Sequence, residues 1–429
     1  MKSKYFCVIG IIGSILFSCK QGESVSPVLL DEISFSEKEQ VINCAGNQFS
    51  FDLFRQLSSL DSAENMFVSP FSVSCALGMV NYGASGVTHQ EIMEVMQIPD
   101  SVALVLNAYH QKLIDGLPRL DSSVTVKIAN SMWFNKEVPV KKQFIQKNAM
   151  SYKAVSHNLD FSKLESVDKI NEWVSRQTEG CIRKFMSNLS SDELLVLVNC
   201  LYFKGKWKFP FEKSETRKEV FFCADKTQES VEMMHQTASF SYRKNDYFEM
   251  ATFPYGNSSY AMTILLPDVN KSWKECMDVL DGKSWETWMT DSVEEVLLDV
   301  KLPKLVLKNK YQMNRVLSAM GMSNAFTVHA DFTNLTDRKP MCIGKVEHAS
   351  FLELNEQETK AAAVTGMTVV FESEMIPIEP VIPFYANRPF CSLFMKWVII
   401  QYYLLGKCFV PINKLHLQKE HYALLNLDK

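Results

Sequence analysis

Six stretches of the chain carry apolar side chains at every third or fourth position, the spacing of one face of an α-helix. These predicted helices span residues 37–60, 101–117, 141–152, 166–178, 273–280 and 309–320. A seventh helix is predicted to begin after Ser69, which can cap it, with Pro70 at its first position. Thr88, followed by Glu91 three residues later, predicts an eighth helix that starts with a capping box.

Other stretches alternate apolar and polar positions, or are continuously apolar, as β-strands are. The clearest predicted strands are residues 124–134, 194–203, 260–266, 293–302 and 344–354, with a β-rich run at 384–410. Helical and strand patterns are interleaved, and neither repeats nor inner linkers interrupt them. The pattern therefore predicts one α+β domain over residues 37–411.

Residues 356–373 show the period of two in an unusual form. Charges at Glu358, Lys360 and Glu372 lie on one face, and no proline interrupts the run before Pro377. The opposite face is uncharged and begins with small side chains: Thr359, Ala361, Ala363, Thr365, Met367, Val369 and Phe371. The Ala-rich first half is a weak strand former. This stretch is therefore predicted to be able to enter a sheet without beginning there.

The N-terminus has the pattern of a cleaved leader. Lys2 and Lys4 precede an apolar run too short to anchor in a bilayer, and residues 1–18 are predicted to be a signal peptide. The ending Leu16-Phe17-Ser18-Cys19 is similar to a bacterial lipobox, in which the cysteine carries lipid. We expect Cys19 to be that cysteine, although a plain signal peptide remains an alternative.

The segments at the two ends complete the domain organisation. The polar, acidic residues 19–36 are predicted to be a tether, and residues 412–429 form a tail of unassigned role. With Cys19 lipidated, the protein is expected at a bacterial cell envelope, on the outer membrane or cell surface. Without lipid it is expected to be secreted.

Charge and cysteine usage exclude several classes of protein. The net charge of −4, with no basic block, argues against nucleic-acid binding. The eleven cysteines include no Cys-x-x-Cys pair and show no disulfide framework. Cys75, Cys200 and Cys391 lie in apolar runs and are predicted to be small core residues.

The motifs of common enzymes are absent from the sequence. There is no His-Glu-x-x-His helix, and the histidines lack the spacing of metal ligands. Gly282-Lys283-Ser284 is similar to a phosphate-binding loop, but Met277 stands where that loop needs glycine. We therefore expect no metal, no cofactor and no enzymatic activity, which points to binding or inhibition.

Four separated segments, in order, resemble the serpin family. They are residues 65–92, with Ser-Pro-Phe-Ser and Gly-Ala-Ser-Gly-Val-Thr; residues 197–207; residues 346–365; and residues 384–390. The resemblance implies a fold of three β-sheets and eight or nine helices with an exposed reactive loop. It also implies a monomeric suicide inhibitor of serine or cysteine proteases, which forms a covalent complex and inserts its cleaved loop into the large sheet.

On this resemblance, residues 356–373 are part of the reactive loop. The hinge comprises Glu356, Glu358, Thr359, Ala361, Ala362, Ala363 and Thr365. A family count of sixteen residues from Glu356 places the cleaved bond between Glu372 and Ser373, with Phe371 and Met375 as alternative acyl donors. Glu372 suits a protease with a basic primary pocket, and Phe371 suits one with an apolar pocket.

The resemblance also implies a polar cluster that controls sheet opening, formed by Ser69, Ser72, Asn199 and His348. Trp207 is expected at the upper end of the sheet, where the loop enters. One departure is Glu358, which replaces the usual glycine and removes the backbone freedom that glycine gives a hinge. A non-inhibitory serpin that binds or carries a ligand therefore remains the alternative function.

Overall fold

The computed structural model describes residues 33–60, 65–290, 294–356, 380–396 and 399–408. Within these ranges the helices are α1 (Glu37–Leu60), α2 (Pro70–Asn81), α3 (Gly86–Val95), α4 (Leu106–Gly116), α5 (Lys142–Tyr152), α6 (Leu164–Gln177), α7 (Trp273–Asp278), α8 (Gly282–Thr290) and α9 (Asn314–Ala319). The first strands are β1 (Met66–Val68), β2 (Val124–Asn135), β3 (Val155–Leu159), β4 (Leu195–Gly205), β5 (Arg217–Phe222), β6 (Gln228–Lys244) and β7 (Phe248–Tyr255). The remaining strands are β8 (Tyr260–Pro267), β9 (Glu294–Pro303), β10 (Leu305–Gln312), β11 (Lys345–Leu354), β12 (Ile382–Tyr385), β13 (Phe390–Lys396) and β14 (Ile399–Cys408).

The helix predicted after Ser69 is confirmed as α2. The Ser69 side chain accepts a hydrogen bond from the backbone N–H of Ser72, and Pro70 occupies the first turn. Ten of the twelve residues of α2 are buried, as expected of a helix that is apolar almost all round. Cys75, on this helix, is also buried, and so are Cys200 and Cys391.

Two local predictions were wrong, and one helix was missed. The capping box at Thr88 does not form, because α3 begins at Gly86 and Glu91 instead accepts hydrogen bonds from Asn324. The helix predicted over residues 309–320 is shorter: its first third belongs to β10, which pairs with β11, and only Asn314–Ala319 is helical. The helix α8, Gly282–Thr290, has a helical pattern that was not predicted.

The described strands form two hydrogen-bonded sheets, one of nine strands and one of five. The α+β class is confirmed. The nine-stranded sheet is continuous because the 17-residue strand β6 pairs with three different strands along its length. Its first part pairs with β5, its centre with β9 and its last residues with β7. The described strands therefore form two hydrogen-bonded sheets where the resemblance implied three, because β6 joins two groups of strands into one sheet.

The five-stranded sheet has the order β10-β11-β4-β2-β3 and is covered on both faces. Alternate residues of β4, such as Leu197 and Leu201, pack into the main hydrophobic core. The intervening residues Val196, Val198 and Cys200 pack against α6, through Ile170 and Trp173 among others. The continuous apolar sequence of β4 follows from this burial on both faces.

In the described part of the chain, we find no helix that combines the length and apolarity needed to cross a bilayer.

Candidate functional site

The reactive loop predicted from the sequence leaves the five-stranded sheet at the end of β11. This strand pairs directly with β4, and the two run parallel from the pair Lys345–Val196 to the pair Leu352–Phe203. We call this boundary between β4 and β11 the slot. A parallel pair is slightly less stable per residue than an antiparallel one. A chain that left β11 and turned back into the slot would run antiparallel to both neighbours.

A row of three polar side chains crosses the middle of this sheet. Asn130 of β2 lies opposite Asn199 of β4, which lies opposite His348 of β11. The His348 ring contacts Asn199 at 3.0 Å, and the Asn199 amide donates to Asn130 Oδ1 at 2.6 Å. We call these three residues the polar row. The row spans the slot, so a strand that entered there would break the bond between His348 and Asn199.

The protonation of His348 follows from its partners. The backbone N–H of Ser69 can only donate, and it donates to His348 Nε2 at 3.1 Å. The ring proton therefore lies on Nδ1 and is donated to Asn199 Oδ1. Burial lowers the pKa of His348 to about 3, which keeps the ring neutral. A neutral His348 thus links α2 to β4 across the slot.

The structure does not bring the Ser72 hydroxyl into this network. Ser72 lies in the first turn of α2, and its backbone N–H donates to Ser69 Oγ at 3.2 Å. Its own hydroxyl is buried and has no hydrogen-bond partner among the described residues. A second serine that was not predicted, Ser350 of β11, instead donates to the carbonyl of Phe67. Three of the four residues expected in the opening cluster therefore lie together.

Trp207 closes the upper end of the slot, just beyond the end of β4. Its indole N–H donates to the carbonyl of Asn355 at 3.0 Å, the residue that follows β11 by one position. The indole also stacks on Tyr255, with 4.3 Å between ring centroids. This bond joins the chain after β4 to the chain after β11.

Glu356 is the last described residue before the loop. Only 3% of its surface is exposed, and its charge has partners. Its carboxylate accepts from the Thr216 hydroxyl at 2.7 Å and pairs with Lys304 at 3.2 Å. Burial acts to raise the pKa of Glu356, but the Thr216 hydrogen bond and Lys304 outweigh it, so the pKa lies below its ordinary value. The loop therefore departs from a fixed, ionised residue.

The other predicted loop positions lie outside the described residues. They are the hinge residues Glu358, Thr359, Ala361, Ala362, Ala363 and Thr365, and the bond candidates Phe371, Glu372, Ser373 and Met375. The lipidation candidate Cys19 lies outside them as well. The chain is described again from residue 380 and enters β12, at the edge of the nine-stranded sheet.

Besides Ser350, sequence reasoning missed four residues of the site. Asn130 was the detectable one, because it is a polar position inside a predicted strand. Tyr311 stacks parallel to His348, at 6.5 Å between ring centroids, but the sequence placed it in a helix. Lys304 and Thr216 are ordinary polar residues far from Glu356 in the chain, and only the tertiary structure brings them to it.

We expect acid to destabilise the protein through His348. Its pKa is about 3 when folded and near 6.5 when unfolded, so below pH 6.5 the unfolded state binds a proton that the folded state excludes. The stability that the neutral ring contributes is complete above pH 6.5 and is lost progressively as the pH falls towards 3. The free energy of unfolding should fall by up to about 1.4 kcal/mol per pH unit for this group.

Urea unfolding between about pH 5 and pH 7 tests this expectation. In His348→Gln, the slope of the free energy of unfolding against pH should be smaller than in the wild type by up to about 1.4 kcal/mol per unit. Equal slopes in the two proteins would show that His348 does not exclude the proton.

The described residues hold no cluster of three or more His, Cys, Asp or Glu side chains that could bind a metal ion. The site consists of hydrogen bonds that join neighbouring strands and α2. Short polar side chains of this kind can exchange one hydrogen-bond partner for another.

Comparison with known proteins identifies the family. The model of the serpin family, described as serine protease inhibitor, matches residues 45–411. Leukocyte elastase inhibitor of Sus scrofa is 31% identical over 364 residues, which cover 81% of this chain and 96% of that protein.

Solved structures show the same fold. The thermophilic serpin tengpin in its native state is 27% identical, with a TM-score of 0.77 over 88% of this chain and 96% of tengpin. Human thyroxine-binding globulin in complex with thyroxine has a TM-score of 0.78 at 24% identity, over 87% of this chain and 99% of the globulin. The second likeness concerns the fold alone.

Proposed function

The chain belongs to the serpin family, and from this membership we propose that it is a suicide inhibitor of serine or cysteine endopeptidases. The protease attacks the reactive loop, and the cleaved loop inserts into the slot before the acyl-enzyme is hydrolysed. The observation that carries this proposal is the position of the slot: β11 pairs in parallel with β4, and the loop begins where β11 ends.

The chemistry of trapping needs only the protease's own machinery. Its nucleophile attacks the carbonyl carbon of Glu372, the C–N bond to Ser373 breaks, and the new amine leaves with a proton. The inhibitor remains joined to the enzyme by an ester or thioester. Water would normally hydrolyse this bond and release the inhibitor. Trapping therefore requires insertion to be faster than hydrolysis.

The length of the loop segment and the pairing that it would gain support insertion. Residues 357–372 number sixteen, twice the eight register pairs that line the slot, so the segment is long enough to fill it. An inserted strand exchanges one parallel pair for two antiparallel pairs. The bonds lost across the slot include those of His348 to Asn199 and of Trp207 to Asn355, each worth about 0.5–1.5 kcal/mol net.

The sequence of the hinge supports entry into the core. The face of the slot that meets the main core is lined by side chains such as Leu201, Phe203 and Leu352. Thr359, Ala361 and Ala363, which share one face of the loop, are small and uncharged. Their entry leaves no buried charge without a partner. Glu358 lies on the opposite face, which is open to solvent at the upper end of the slot, where Lys204 and Glu353 are exposed. There it slows the hinge rather than blocking burial.

A covalent complex tests the proposal directly. Mixing the protein with a Glu-specific endopeptidase or with subtilisin should give a band at the summed mass that survives SDS, together with loss of protease activity. Proteases whose nucleophile has been blocked chemically are the matched control and should give no band. If every protease only nicks the loop and keeps full activity, the protein is not an inhibitor.

The second candidate is a non-inhibitory serpin that carries or binds a ligand. It is favoured by Glu358 at the hinge, where glycine would ease the turn. Thyroxine-binding globulin shows that this fold accommodates a bound small molecule. This candidate predicts loop cleavage without insertion, so thermal stability measured before and after cleavage separates the two functions.

We further propose that Cys19 carries lipid and anchors the inhibitor at a bacterial envelope. The support is the ending Leu16-Phe17-Ser18-Cys19 and the polar tether at residues 19–36. Expression in a bacterial host should place the wild type in the membrane fraction and Cys19→Ser in the soluble fraction. Equal distribution of the two proteins would contradict the anchor.

A further inference from the structure

A second buried histidine, His110 of α4, has no part in the proposed mechanism of loop insertion. It is 2% exposed, and its Nδ1 lies 3.1 Å from the hydroxyl of Tyr152, the last residue of α5. Its Nε2 lies 3.1 Å from the hydroxyl of Ser74 on α2. His110 therefore connects three helices that pack beside the five-stranded sheet.

The direction of these hydrogen bonds can be assigned. The Tyr152 hydroxyl donates its single proton to Asn107 Oδ1, so towards His110 it can only accept. The His110 proton therefore lies on Nδ1, and Nε2 accepts from Ser74. The other acceptor near the Ser74 hydroxyl, Met96 Sδ at 3.7 Å, is a weak one. His110 is neutral and bonded at both nitrogens, as His348 is.

Tyr152 also holds the far end of the polar row. The Asn130 amide donates to the backbone carbonyl of Tyr152 at 3.0 Å. That carbonyl belongs to the last turn of α5, where no intrahelical donor remains for it. One residue thus terminates the row through its carbonyl and binds His110 through its hydroxyl.

These contacts close a ring. From Ser69 at the start of α2 it passes through His348, Asn199 and Asn130 to Tyr152, and returns through His110 to Ser74 on the same helix. We call this set of residues the α2 ring. Gly78, in the next turn of α2, makes room for it, because a Cβ there would overlap the Tyr152 hydroxyl and lie 3.2 Å from His110 Nδ1.

We propose that His110 and Tyr152 are positioning residues for loop insertion, which hold the polar row in register and so set how readily the slot opens. The reason is geometric. The row is fixed to α2 at both ends, directly through Ser69 and indirectly through Tyr152, His110 and Ser74. If Tyr152 is released, Asn130 loses its fixed acceptor, and the bond between His348 and Asn199 that spans the slot is held from one side only. This inference rests on the proposed insertion.

The experiment measures slot opening without a protease. A synthetic peptide with the sequence of residues 359–372 is mixed with the intact protein, and its uptake is followed by a fluorescent label. Tyr152→Phe removes only the ring hydroxyl, and with it the hydrogen bonds to His110 and Asn107. It should raise the uptake rate about fivefold or more, the effect expected from losing buried hydrogen bonds. Tyr82→Phe is the matched control, because its hydroxyl bonds to Ser151 at 2.9 Å, beside Tyr152 but outside the α2 ring. Its rate should stay within about twofold of the wild type.

A second readout distinguishes positioning from simple loss of stability. In protein labelled with ¹⁵N at histidine, the Nδ1–H signal of His348 should shift in Tyr152→Phe and stay in place in Tyr82→Phe. Ser74→Ala opens the ring on α2 by removing one half-buried hydroxyl, and it should shift the same signal if Tyr152→Phe does not fold.

The outcomes separate this inference from the proposed function. If the wild type takes up no peptide, the proposed insertion fails and the role of His110 and Tyr152 fails with it. If the wild type takes up peptide, but the two Tyr→Phe variants do so at equal rates with an unmoved His348 signal, insertion stands and the α2 ring has no positioning role.

Discussion

Replacing Ala363 by Glu is expected to turn the protein from an inhibitor into a substrate. The loop should still be cleaved at the same bond, but the SDS-stable complex should disappear. The inhibitor would then be consumed while the protease keeps its activity. The measurement is the yield of covalent complex per cleaved molecule, from gel densitometry of the same reaction.

The physical reason lies in the alternation of the hinge. Ala363 shares a face with Thr359 and Ala361, the face that would meet core residues such as Leu201 and Leu352 on insertion. A carboxylate there would be buried without a partner, which costs on the order of several kcal/mol. Insertion would slow by a factor of about 100 or more, and hydrolysis of the acyl-enzyme would finish first.

Lys360→Glu is the control for this substitution. It places the same carboxylate three residues away, on the face that already carries a charge. Complex yield should stay near that of the wild type. Undiminished trapping by Ala363→Glu would remove the argument from alternation, and equal loss in both variants would mean that charge in the hinge matters irrespective of face.

Cleavage of the loop is expected to raise the thermal stability of the protein. Each inserted residue of the new strand gains about one ladder hydrogen bond beyond those that the parting of β4 and β11 removes. At about 0.5–1.5 kcal/mol each over the eight register pairs, the midpoint of thermal unfolding should rise by about 5–15 °C.

The measurement compares intact and nicked protein by circular dichroism, with the cleaved bond located by mass spectrometry. The Ala363→Glu protein, nicked at the same bond, is the matched control. Its midpoint of thermal unfolding should rise much less on cleavage. A midpoint unchanged by cleavage of the wild type would favour the non-inhibitory carrier. The same mass spectrum decides between Glu372 and the alternative donors Phe371 and Met375.

Local sequence patterns predicted most of the elements. The α2 cap at Ser69, the buried β4 and the strand β11 all follow from the spacing of apolar residues and from turn chemistry. Where prediction failed, a distant partner decided the local structure. The residues from Asn309 to Gln312 have a helical pattern, but β11 offers them a full row of backbone partners and they join β10. Glu91 has the spacing of a capping box, yet Asn324 takes its carboxylate.

The residues of the candidate site were likewise predicted only in part. Three of the four residues expected at the slot, Ser69, Asn199 and His348, lie together, but the Ser72 hydroxyl stays outside the network. Asn130 of β2 and Tyr152 of α5 also belong to this network, although neither was predicted to have a role. Ser72 contributes its backbone N–H to the helix cap, and its buried hydroxyl has no hydrogen-bond partner among the described residues.

The sequence alone determined the fold class, the family and the neutral face of the loop, because periodicity and motif order are properties of neighbouring residues. Only the tertiary structure decided that β4 and β11 form a closed parallel pair, and that a histidine binds a backbone N–H 279 residues away. Strand register and helix packing set those contacts, and both depend on the burial of the whole core rather than on any local stretch.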